Sequence, residues 1–124
     1  MTPADLDLAR RAVACHRWTW MPGMRYVVPR NAPLETVSGR VPDFMRGWTR
    51  SPGMLPDLSD PATLGCVMAL LDVAYDAWWV EPDASPKMLA ASWAVYAWVA
   101  PGMRRLAVRV TRIEAIIVAL EGAP

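Results

Sequence analysis

The chain is poor in most of the features that usually announce a function. It has two cysteines, Cys15 and Cys66, in 124 residues, too few for a disulfide framework and without the paired spacing of a zinc site. It has one histidine, His16, and one lysine, Lys87. Its seven glycines are scattered, and none belongs to a phosphate-cradling loop. No apolar run, the one through Ala94 to Ala100 included, comes near the roughly 20 residues that span a bilayer. Asp5 and Asp7, followed by Arg10 and Arg11, replace the basic start and apolar stretch of a signal peptide. Excess charge is missing too. Thirteen basic residues against twelve acidic ones leave a net charge of +1, which argues against a binder of duplex nucleic acid. Together these absences favour an intracellular protein with no membrane association, no metal and no cofactor.

What is present is apolar and aromatic. Hydrophobic residues make up 54% of the chain, which excludes a disordered polar polymer and supports a single domain spanning residues 1–124. Seven tryptophans and twelve prolines are more than ordinary usage supplies. All the basic residues but Lys87 are arginines. Arginine and tryptophan are the types enriched at recognition surfaces, through forked hydrogen bonding and planar stacking. A GC-rich genome also favours arginine over lysine, and explains the tryptophans less well. So much apolar surface on a short chain predicts self-association, most simply as a dimer.

Local signals place the elements. Thr2-Pro3-Ala4-Asp5 reads as an N-cap, a proline at the first helical position and an acid three residues on. Leu8, Ala9, Ala12, Val13, Cys15 and His16 follow on one side of an amphipathic helix of about 14 residues. Pro22-Gly23 suits a type II turn, so Trp18–Met21 and Met24–Val28 are expected as two short strands. A weak edge strand is expected around Val41 to Trp48, limited by Pro42 and Gly47, and loop from Ser51 to Ser59. Asp60-Pro61 opens the clearest helix, with Leu64, Val67, Met68, Leu71, Ala74, Tyr75 and Trp78 at helical spacing. Gly65, Ala69, Asp72 and Asp76 line its solvent side.

Residues 93–110 alternate around Pro101-Gly102 and are read as a hairpin. A symmetric loop, expected to be longer than two residues, pairs Trp93 with Val110, Val95 with Val108 and Ala97 with Leu106. The opposite face then carries Ala94, Tyr96 and Trp98 beside Arg109, Ala107 and Arg105. Thr111-Arg112-Ile113-Glu114 is a capping box for a last helix with Ile113, Ile116, Ile117 and Leu120 buried and Gly122 as its stop. The order predicts an α+β domain, a small antiparallel sheet layered with three helices.

Three stretches carry a resemblance. They are Trp20-Met21-Pro22-Gly23-Met24-Arg25, the run from Leu55-Pro56-Asp57-Leu58-Ser59-Asp60-Pro61 to Cys66, and the helix from Thr111-Arg112-Ile113-Glu114-Ala115 to Glu121. They resemble a group of small phage and prophage proteins. From Leu55 onward the chain is also similar to phage ABA-sandwich domains, with their Asp-Pro helix start, Trp-containing strand pair and Thr-x-x-Glu-Ala helix. The likeness covers most of the chain, with gaps at 29–50 and 80–92. It implies phage origin and a small accessory role in the host bacterial cytoplasm, and it carries over no activity.

The residues give little support to catalysis. Cys15 and His16 are adjacent on a helix and point about 100° apart, so they cannot meet as nucleophile and base. Asp60 serves as a helix cap and Asp57 as a turn residue before either serves as an acid–base pair. Pro-Gly-Met occurs three times, at 22–24, 52–54 and 101–103, without making a structural repeat. The best functional signal is aromatic and arginine residues brought together: Trp20 with Arg25, and Trp98 with Arg104 and Arg105. Trp18, Trp20, Trp78 and Trp93 equally suit a core. The expected site is therefore the surface of Trp98, Tyr96, Arg105 and Arg109, joined by Trp20 and Arg25. It would stack a small anionic, nucleotide-like ring and fork onto its phosphate without turning it over. The alternative is a protein–protein module that inhibits a host protein or assists virion assembly.

Overall fold

The computed structural model describes residues 2–29, 37–44, 48–83 and 92–124. Its elements are α1 (Pro3–Ala14), β1 (Arg25–Val28), β2 (Val37–Arg40), β3 (Leu55–Pro56), α2 (Pro61–Ala74), β4 (Trp78–Asp83), β5 (Ser92–Val99), β6 (Gly102–Arg109) and α3 (Arg112–Glu121). Among the described residues, three helices and two three-stranded antiparallel sheets make an α+β architecture. The single expected sheet is thus two separate ones. Among the described residues no helix is long and apolar enough to cross a membrane. The chain packs as two compact units, one of Met1–Ala14 and Trp18–Cys66, the other of Cys15–Arg17 and Val67–Pro124.

In the first unit, local chemistry fixes most of the geometry. The Asp5 amide donates to Thr2 Oγ1 at 3.1 Å, and the Thr2 amide donates back to Asp5 Oδ2 at 2.8 Å. This reciprocal cap starts α1. The helix buries Ala9 and Ala12 and packs against β3, while His16 beyond its end is exposed. The sheet order is β2-β1-β3, with Tyr26 opposite Gly39 on one side and Pro56 on the other. A Cβ at Gly39 would run into the Tyr26 hydroxyl, so any larger residue there forces that ring aside. Two Pro-Gly turns feed the sheet. Gly23 and Gly53 have φ of 88° and 77°, and the amides of Met24 and Met54 each close the turn at 3.2 Å. Proline then glycine with positive φ is the type II pattern, and the methionine after each turn is buried.

Two strand expectations fail here. Trp18–Met21 is not a strand, because β1 finds its partners in β2 and β3 and leaves that segment unpaired. Of the strand expected from Val41 to Trp48, residues 41–44 and 48 are not in a strand and residues 45–47 lie outside the described residues; a strand, β2, lies just before it. Pro42 ends the ladder just after Val41, whose backbone is bonded to Gly23 and Met24. The loop expected from Ser51 to Ser59 contains the two-residue β3. Pro29 to Pro33, which reads as loop, lies mostly outside the described residues, and so does the stretch where Ser85-Pro86 and Met88-Leu89-Ala90-Ala91 offer a helix as the alternative to the start of the hairpin.

The second unit is built around β4-β5-β6. Thr111 caps α3, its Oγ1 accepting from the Glu114 amide at 3.2 Å, and Gly122 ends the helix with its amide on Val118 O. Ile116, Ile117 and Leu120 are fully buried, and α3 lies against β5 and β6. Val67 and Leu71 are fully buried too, whereas Leu64 and Met68 are half-buried. The buried Tyr75 hydroxyl donates to Ala119 O at 3.2 Å, and burial raises its pKa. The helical spacing that runs on to Trp78 misleads. The helix stops at Ala74, and Trp78 opens a strand while its Nε1 donates to Asp72 at 2.7 Å.

The hairpin exists, but its register differs from the symmetric one. Only Ala100 and Pro101 link Val99 to Gly102, a shorter loop than expected, and Trp93 lies opposite Arg109, not Val110. Val95 faces Ala107 and Tyr96 faces Arg105, which leaves Leu106 as an extra residue in β6. A bulge of this kind flips which residues share a face.

Candidate functional site

Opposed residues in an antiparallel ladder share a face, so the register sorts the β4-β5-β6 side chains. One face carries Trp78, Val80, Trp93, Val95, Ala97, Ala107 and Arg109. This is the face on α3: the Arg112 guanidinium sits 5.9 Å from the Trp93 ring centroid, and Arg109 Nε is 3.6 Å from Glu114. The other face carries Trp79, Tyr96 and Arg105 in one row and Trp98 with Met103 in the next. Rows on one face are about 7 Å apart along a strand. We call this the outer face.

The outer face is aromatic and partly open. Trp79 and Tyr96 stack with ring centroids 5.4 Å apart and planes 17° apart. Trp98 is 48% exposed and Met103 58%. The Trp98 amide donates to Ala77 O at 2.8 Å, which holds that end of β5 on the chain entering β4. Arg105 is exposed and makes no hydrogen bond or ion pair with another described residue. Glu81, on the same face of β4 and opposite Ala94, is likewise exposed and unpaired among the described residues.

Of the six residues expected at the site, the structure gathers Tyr96, Trp98 and Arg105. Arg109 is a correction. The bulge at Leu106 turns it to the α3 side, where it pairs with Glu114 and its Nη1 donates to Val108 O at 2.7 Å. Trp20 and Arg25 belong to the first unit. Trp20 is the middle ring of an aromatic cluster, 5.6 Å from Trp18 and 6.2 Å from Trp48, both edge-on. The indole N–H groups of Trp18 and Trp20 are buried without a hydrogen-bond partner among the described residues. Arg25 Nε lies 3.6 Å from Asp57 Oδ2, and its backbone N–H donates to Thr63 Oγ1 at 2.8 Å. Trp79, stacked on Tyr96, is the residue of this face that sequence reasoning missed. The signal was present in Trp78-Trp79-Val80, a β-favouring run just after the helix.

The strongest electrostatic feature of the chain is structural. Asp60 caps α2 through the Thr63 amide at 3.0 Å, and Arg40 grips the same carboxylate with two nitrogens at 2.9 and 2.7 Å. Arg40 Nη1 also donates to Gly23 O, tying the first turn to the cap. The hydrogen bonds from Arg40, then those from Thr63, hold the Asp60 carboxyl far below the usual carboxylate range, against the opposing effect of burial. The same bonds raise Arg40.

Cys15 donates weakly to Leu120 O and Cys66 to Pro22 O. Burial, followed by the charge of Asp60, pushes the Cys66 thiol up, away from the thiolate form that nucleophilic or metal-binding cysteine needs. Among the described residues no three His, Cys, Asp or Glu side chains converge as a metal site. Comparison of the chain with protein-family models, curated proteins and solved structures finds no match.

Proposed function

We propose that this protein is a non-enzymatic binder of a small, planar, anionic ligand of the nucleotide type, taken on the outer face of β4-β5-β6. The observation that carries the reading is Arg105. It pairs across the ladder with Tyr96, one row from the half-exposed Trp98, and its side chain has no partner among the described residues. Arg25, Arg40 and Arg109 are each engaged with a carboxylate. An unpaired planar fork beside an exposed indole is suited to a ring that stacks and a phosphate that accepts two parallel hydrogen bonds. In the phage setting that the motifs resemble, the role is sequestration: a nucleotide signal of host defence is held in the bacterial cytoplasm and not consumed. A second reading, an interaction module for a host or virion protein, draws on the exposure of Trp98 and Met103.

Isothermal titration with a panel of nucleoside phosphates and cyclic nucleotides tests the proposal. The expected result is saturable binding of at least one nucleotide, weakened by Trp98→Ala and Arg105→Ala in proteins that melt like the parent. Arg105→Lys keeps the charge, loses the fork and should also bind less tightly. The nucleotide should be recovered intact after denaturation. Variants that bind as tightly as the parent, or a panel with no binding at all, would overturn it.

A further inference from the structure

The chain is neutral only as a whole. Between Asp83 and Glu114 there is no acidic residue, while Lys87, Arg104, Arg105, Arg109 and Arg112 all fall there. This stretch supplies β5, β6 and the first residues of α3. Arg109 is paired with Glu114, and Arg112 sits at the Trp93 ring, both on the α3 side. Arg104 is different. Like its neighbour Arg105 it is exposed, and neither side chain has a partner among the described residues. β6 is an edge strand, and successive side chains leave a strand on opposite sides. Two free guanidinium groups therefore flank one sheet edge, more cation than a single phosphate needs.

The face beside that edge is open over a short span. Ser92 and Ala94 are buried at one end. What remains is the row of Trp79, Tyr96 and Arg105 and, about 7 Å along the strands, the row of Trp98 and Met103. Rings in successive rows with cations along one border form a stacking platform for single-stranded nucleic acid. The row spacing is roughly twice the 3.4 Å rise of a stacked strand, so each row meets one base of a drawn-out strand. We infer that the ligand of this face is single-stranded nucleic acid, two consecutive nucleotides of which it holds. One base lies on Trp98 and the next on the Tyr96 row, with their phosphates along Arg105 and Arg104. A duplex cannot bind in this way, because its ring faces are stacked on one another. Glu81, exposed on the β4 side of the same face, repels phosphate and keeps the strand's backbone to the β6 side. The premise is the ligand-binding reading above; what is added is the second nucleotide and Arg104.

Titration calorimetry with deoxyadenosine 5′-monophosphate, the dinucleotide pdApdA and a mixed-sequence oligodeoxynucleotide, single-stranded or annealed to its complement, separates the two. The dinucleotide should bind on the order of tenfold tighter than the monophosphate, the worth of one more stacked base. The single strand should bind at least as tightly as the dinucleotide, and the duplex more weakly. Trp98→Ala, in a protein that melts like the parent, should lose about tenfold for the single strand. Arg104→Ala and Arg105→Ala should each reduce the slope of log affinity against log salt by about 0.7, one phosphate contact apiece. A dinucleotide and a strand that bind no tighter than the monophosphate would overturn the inference and leave the single-nucleotide reading standing. So would an Arg104→Ala protein whose salt slope is unchanged. A duplex bound as tightly as the single strand would overturn it as well. Strand binding with no measurable binding of the monophosphate would uphold it and reject sequestration of a small signal.

Discussion

The two sheets use arginine in opposite ways. Around β2-β1-β3, Arg40 and Arg25 are tied to carboxylates presented by the segment that enters α2, and they hold turn, strand and cap together. On the outer face of β4-β5-β6, Arg105 has no such partner among the described residues and stands beside stacked and exposed rings. The residue type is the same. What differs is whether the fold presents an acid to it first, and that decides whether a guanidinium is a strut or stays free. Tryptophan divides the same way: Trp18 and Trp48 both pack on Trp20, while Trp98 is half exposed.

The largest effect should come from the core of the second unit. Leu71 is fully buried, and Leu71→Ala is expected to lower stability by about 3 kcal/mol by chemical denaturation, within the range for buried leucine truncation. It would do so without touching the outer face, so nucleotide binding per folded molecule should hold. Next is Asp60→Ala in the first unit, which removes the cap and leaves Arg40 without its carboxylate. A loss of roughly 2 kcal/mol is expected, the upper part of the capping range.

The same group gives a pH test. The Asp60 carboxyl ionises at lower pH folded than unfolded. Its contribution is therefore complete above the unfolded value of about 3.9 and is lost as pH falls from there towards the folded value. Denaturation midpoints measured from pH 6 down to pH 2 should fall less steeply in Asp60→Asn than in the parent. Gly39→Ala is a smaller break, roughly 1 kcal/mol, as Tyr26 must swing away from a new methyl group. Smallest of all, Arg105→Ala should change the melting temperature little, since exposed substitutions usually stay within about 0.5 kcal/mol. A large loss of stability in Arg105→Ala would erase the contrast between the two sheets.

Helices were legible because their signals are local. Thr2 with Asp5, Asp60 with Pro61 and Thr111 with Glu114 each specify a start within four residues. The hairpin was legible from alternation, and so was the face shared by Tyr96, Trp98 and Arg105. What the sequence hid depends on distant partners. β4 was missed because Trp78 continues the helical spacing of Leu71, Ala74 and Tyr75, with no glycine or proline to mark the stop. β2 reads Val-Ser-Gly-Arg, without an apolar alternation, and is held by its pairing with β1. The bulge at Leu106 is set by how β6 pairs with β5, and it alone moved Arg109 off the site.

On the proposed reading, the outer face of β4-β5-β6, and not the tryptophan cluster of the first unit, is where a ligand binds. Each of the seven tryptophans has one indole N–H, so a proton–nitrogen correlation spectrum reports on all of them at once. On titration with the best-binding nucleotide, the Trp98 indole resonance should shift most, with Trp79 next. Those of Trp18, Trp20 and Trp48 should stay in place. A nucleotide that binds while moving the Trp20 or Trp48 resonance and leaving Trp98 unchanged would contradict the account.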